Sequence, residues 1–235
     1  MIRKPGDLPT QSIATTSSGG GRMGDYMNFR PLSCRTPLLA LALSLAATPA
    51  FAHHVMGGKT PSTVMEGLLS GLGHPVIGPD HLAFLVALGI VVGVGGLNLA
   101  LPALFVAAMA VGVVVHVNGI NLPFPELIVA ASVLLAGVLI AVGRALPVVV
   151  WSALFVIAGL FHGYAFGESI VGAETAPLDA YLVGLVVSQT VLTVGTAFVA
   201  RRLGMGMSGL APRLVGAVIV AVGLATLALQ VVPGA

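Results

Sequence analysis

Two imidazoles and a carboxylate fall within eight residues in the stretch Gly73-His74-Pro75-Val76-Ile77-Gly78-Pro79-Asp80-His81. An uncharged apolar run, 82–96, follows at once. Ionisable groups at the edge of a membrane span are costly and mark functional positions. Imidazole nitrogen and carboxylate oxygen together suit a borderline divalent cation. Two prolines and a glycine bend the chain between His74 and Asp80, which folds His74 back toward Asp80 and His81. Pro79 fits the first turn of a helix, where its missing N–H is not needed. Asp80 then sits where the helix dipole favours an anion. Taken singly, these residues read as a helix-start aspartate and interfacial histidines. Taken together beside an apolar span, they point to a metal site.

A second constellation, Phe161-His162-Gly163-Tyr164-Ala165-Phe166-Gly167-Glu168, closes a later apolar segment. His162 and Glu168 have the same separation as His74 and Asp80, and offer a second imidazole–carboxylate pair. The alternative for His162 is a buried ring bonded to a neighbouring carbonyl. His116, two residues before Asn118 in an otherwise apolar helix, is either a further ligand or an interhelical hydrogen-bonding group. Gln189, Thr190 and Thr193 are polar at helical spacing; they line a path or make interhelical bonds. Glu126, after Pro125, reads as helix-start stabilisation, and Met205 and Met207 as flexible loop filler.

The elements that must hold these groups are membrane helices. Hydrophobic residues make up 57% of the 235, mean hydropathy is +1.06 and charged residues are 8%; a soluble domain carries about 25% charged residues. The 31 glycines suit helices whose backbones approach closely. The net charge of +2 is a property of the leader, which holds Arg3, Lys4, Arg22, Arg30 and Arg35. The remainder has five basic against six acidic side chains, a net charge of −1, so nucleic acid is not an expected partner. No Gly-rich, Lys-bearing phosphate loop occurs, so nucleotide is not expected either.

Residues 1–52 read as a leader. The first 26 are polar and rich in Gly and Ser. From Met27, the candidate start, come a basic region with Arg30 and Arg35, an apolar core from Pro37 to Ala47, and the small-x-small site Ala50-Phe51-Ala52. This is the pattern of a secretory signal peptide cleaved after Ala52, with an uncleaved anchor as the alternative. Cleavage would expose His53 and His54 at a free N-terminus, where an amine and its own imidazole can chelate a divalent metal. Cys34 is the sole cysteine and lies in the leader, so Cys-ligated zinc and iron–sulfur sites are excluded from residues 53–235.

About 20 apolar residues cross a bilayer. Six segments qualify: 79–97, 99–118, 124–142, 146–166, 178–200 and 211–232. Residues 61–73 form a shorter Gly-rich helix that lies at the surface or re-enters. Glycine and proline mark every break. The fold class is therefore an all-α polytopic membrane protein, a bundle of six transmembrane helices after a cleaved signal peptide. An exported N-terminus places Arg144, Arg201, Arg202 and Arg213 on the cytoplasmic side and only Lys59 outside, which the positive-inside rule demands independently. Tyr164 and Tyr181 then fall near the outer interface. Every carboxylate and histidine after the leader lies in the outer half, an arrangement that concentrates cations.

With His74, Asp80 and His81 and the segment from Phe161 to Glu168, the chain resembles the HupE/UreJ family of nickel/cobalt permeases over residues 27–235. The run Gly163 to Glu174, followed by Pro177, Tyr181 and Gln189, is similar to its cyanobacterial-type branch. The resemblance implies that 53–235 is a permease domain in a bacterial inner membrane, with a periplasmic mature N-terminus. It implies metal-binding roles for His74, Asp80, His81, His162 and Glu168, with uptake of Ni2+ or Co2+ as cargo and no permanently bound cofactor. Zn2+ and Cu2+ suit the same ligand chemistry. Two histidines of the better-known branch are absent: one position is Phe166, and the other, near Leu192, is apolar. The implied partners are the lipid bilayer and the ion, with a homo-oligomer left open. The rival readings are a membrane metalloenzyme, which lacks a His-Glu-x-x-His pattern, and an envelope metal sensor or assembly protein that binds without transport.

Overall fold

The computed structural model describes residues 59–231. The leader, the cleavage site and the His53-His54 pair lie outside them. Seven α-helices follow in order: α1 (Val64–Ile77), α2 (Pro79–Val94), α3 (Ala100–Val117), α4 (Pro125–Val142), α5 (Val148–Gly167), α6 (Thr175–Arg202) and α7 (Leu210–Val231), with a 3₁₀ turn at Glu168–Ile170 after α5. No strand occurs among the described residues. Helices α3 to α7 are each long and apolar enough to cross a membrane; α1 and α2 make a sixth crossing only as a pair, bent by 77°.

That bend amends the first span expected from sequence. In place of 79–97, α2 ends at Val94 after 16 residues and reaches the length of a span only together with α1. The preceding short helix extends through Pro75 to Ile77, and a single residue, Gly78, caps its end and starts α2. The start of α1 is fixed by a capping box: the Thr63 hydroxyl accepts the Glu66 N–H, and the Glu66 carboxylate accepts the Thr63 N–H. Its uncovered side carries Val64, Met65, Leu69, Val76 and Ile77, an apolar face suited to lipid rather than to an aqueous surface.

Glycine decides which helices pair. A Cβ on Gly67 would strike the Pro177 carbonyl and one on Gly71 the Tyr181 carbonyl, so α1 lies against the N-terminal part of α6. Gly89 meets Thr193 and Thr196, and Gly93 meets Ala197, so α2 continues along the C-terminal part of the same helix. Gly159 and Gly163 seat α5 on Phe105 and Met109 of α3; Gly137 and Gly216 seat α4 on α7. These are small-residue contacts of the kind that replaces the hydrophobic effect in lipid. Partner positions advance together for α2–α6 and α3–α5, which are parallel, and oppositely for α4–α7, which is antiparallel. Both follow from spans that alternate in direction.

Arginines cap one end of the bundle. The Arg201 guanidinium donates to the Leu97 carbonyl at 2.5 Å, and Arg213 Nε to the Ala141 carbonyl at 3.0 Å. They satisfy carbonyls at or just past the C-termini of α2 and α4, where positive charge is favoured.

Candidate metal site at the helix break

Bending between α1 and α2 brings the last turn of one against the first turn of the other. His74 ends up 2% exposed, Asp80 5%, His81 3% and His162 1%. The sequence puts these groups at an outer mouth; the structure encloses them, with the Phe166 ring packed on both His74 (centroids 5.0 Å apart) and His81 (4.2 Å). Asp80 Oδ1 accepts the His81 backbone N–H at 2.8 Å, which fixes the carboxylate over the α2 N-terminus.

Two hydrogen-bond relays orient the imidazoles. Tyr181 donates its hydroxyl proton to the Phe166 carbonyl at 2.8 Å, so its oxygen accepts from His74 Nδ1 at 2.9 Å. Ser169 Oγ lies 3.2 Å from the same nitrogen. Ser132 donates to the Val129 carbonyl at 2.7 Å, so its oxygen accepts from His162 Nε2 at 3.0 Å. His162 Nδ1 is thereby left as acceptor, and His81 Nδ1 donates to it at 2.9 Å. With the rings neutral, both relays place the proton on Nδ1 of His74 and of His81, and the lone pair on Nε2. A proton held on one ring nitrogen by a fixed partner is how proteins set the ligating nitrogen of a histidine. The His74 and His81 ring centroids are 6.0 Å apart. Among the described residues, no three His, Cys, Asp or Glu side chains form a preset metal cage.

His74, Asp80, His81 and His162 are thus gathered in one buried region. Glu168 is exposed on the turn after α5, and its neighbour Ser169 faces His74 instead. The Nδ1 of His116 lies 2.7 Å from the Tyr164 carbonyl, and its ring packs on Tyr164 at 4.3 Å, the interhelical alternative of the sequence reading. Tyr181, expected at the aromatic interface, is fully buried. Ser132, Ser169 and Tyr181 went unnoticed as site residues in the sequence. Only Tyr181, an aromatic hydroxyl inside an apolar helix, carried a signal that could have been read.

A family model described as HupE / UreJ protein matches residues 41–226. Protein HupE of Rhizobium leguminosarum bv. viciae is 32% identical over 177 residues, 74% of this chain and 82% of that protein. No solved structure matches. Matched over most of its length by both comparisons, the chain belongs to the HupE/UreJ family.

Proposed function

We propose that the protein takes up a divalent transition-metal ion, Ni2+ or Co2+, across the bacterial inner membrane from the periplasmic side. The family is linked to nickel and cobalt uptake. The observation that carries the reading is the helix break, which collects His74, Asp80 and His81 beside His162 inside a membrane bundle. Broken helices are where membrane transporters hold ions. In this reading, Glu168 at the rim attracts the cation, His74 and His81 bind it through Nε2 with Asp80 balancing charge, and His162 holds His81 in register until the ion moves on. The leader is removed, leaving His53 on the periplasmic side. A dication moving down the membrane potential gains about 4.6 kcal/mol per 100 mV, enough to drive uptake without nucleotide.

Liposomes holding the purified protein under an inside-negative potential should accumulate Ni2+ or Co2+. His74→Ala and Asp80→Ala should reduce accumulation to the protein-free background while still inserting as folded protein. Wild-type liposomes no more permeable to these ions than empty ones would overturn the proposal.

A further inference from the structure

Gln189 lies in the middle of α6 and is fully buried, yet neither its Nε2 nor its Oε1 has a hydrogen-bond partner among the described residues. An unpaired primary amide is expensive inside a membrane bundle, where no bulk water compensates for it. Structural glutamines in such helices bond across to a neighbour, and this one does not.

Its position gives the amide a use. Helices α2 and α6 run parallel, with Gly89 facing Thr193 and Gly93 facing Ala197. The same register sets Gln189 level with Leu85, one turn inward of His81, a step of about 5.4 Å along the helix. Arg201, bonded to the end of α2, marks the cytoplasmic edge. Gln189 lies twelve residues outward of it, about 18 Å, and so near the midplane of a hydrocarbon core about 30 Å thick. One turn farther in, Thr193 donates its hydroxyl proton to the Gln189 backbone carbonyl at 2.7 Å, which turns the lone pairs of the threonine oxygen toward other donors or a cation.

We infer that Gln189 is an oxygen ligand for the cation on its way inward, a midplane station one turn beyond the histidines. The amide oxygen is neutral and hard, so it holds a dication more weakly than imidazole and carboxylate do. A multi-site path conducts when each site binds well enough to be entered and weakly enough to be left. The inference rests on the uptake reading, and its test separates the two.

Co2+ uptake into liposomes and Co2+ binding to the purified protein are measured for wild type, Gln189→Leu and Gln189→Glu. Gln189→Leu should lower the initial uptake rate about ten- to hundredfold, the range seen when a metal-site partner is lost. Its Co2+ affinity at the histidines and its melting temperature should hold or rise, because an apolar side chain relieves an unpaired amide. Gln189→Glu keeps an oxygen and should retain more uptake than the Leu variant. Wild-type uptake left intact by Gln189→Leu would overturn the station alone, as would a fall in uptake that merely tracks lost stability or lost Co2+ binding. Absence of wild-type uptake would overturn both readings.

Discussion

An imidazole binds metal through the nitrogen that lacks a proton, so in the proposed function what matters at His74 and His81 is the partner of the other nitrogen. Tyr181 and the His162–Ser132 pair decide it, each anchored on a backbone carbonyl that can only accept. Tyr181→Phe keeps the ring but removes the nearer partner of His74 Nδ1, leaving Ser169 Oγ at 3.2 Å. Ser132→Ala removes the acceptor for His162 Nε2 and frees that ring to exchange tautomers. Each change should weaken Co2+ binding about ten- to hundredfold with little change in melting temperature, as read by Co2+ titration of the purified protein. Unchanged affinity in both would leave the relays with no part in binding.

At the scale of elements, the helix pairs depend on bare backbone. A Cβ on Gly163 would fall on the Met109 carbonyl, and α3 cannot retreat without losing its contact with α5. Gly163→Ala should therefore destabilise the protein by about 1–3 kcal/mol, the usual cost of overpacking. Gly195, on the uncovered side of α6, has nothing within 4 Å of a Cβ. Gly195→Ala should stabilise by about 0.5–1 kcal/mol through helix propensity alone. Thermal melting of the two variants in the same detergent checks both signs. The glycine spacings behind these contacts, such as Gly67 with Gly71 and Gly159 with Gly163, stand in the sequence. Which helix each stripe faces does not, because the spacing is the same on α1, α2 and α5.

For the whole molecule, orientation rests on arginines that serve two purposes. Arg144, Arg201, Arg202 and Arg213 are all exposed on one side, and two of them also satisfy carbonyls at or near helix C-termini. The topology predicts opposite chemistry at two exposed serines. With Cys34 replaced, a membrane-impermeant maleimide should label Ser62→Cys in intact cells but reach Ser208→Cys only after the inner membrane is opened. The reverse pattern would invert the protein and point the histidines toward the cytoplasm.

Hydropathy, glycine–proline breaks and the distribution of arginine are local or additive properties. They determined the class and the positions of the five helices long enough to cross a membrane, and they nominated the metal ligands that the proposed function uses. The bend between α1 and α2, 77° in the structure, was legible in Pro75, Gly78 and Pro79; that α2 reaches span length only together with α1 was not, because α2 alone is apolar enough to look like a span. The partners of the imidazoles stayed hidden for a different reason. Tyr181 lies 107 residues from His74, and His162 lies 81 from His81, and no pattern of local spacing encodes which distant side chains share a crevice. Gln189 was visible as a polar residue. Only packing could decide that no described residue bonds to its side-chain amide, since a hydrogen bond between helices depends on what the neighbouring helix presents at that depth.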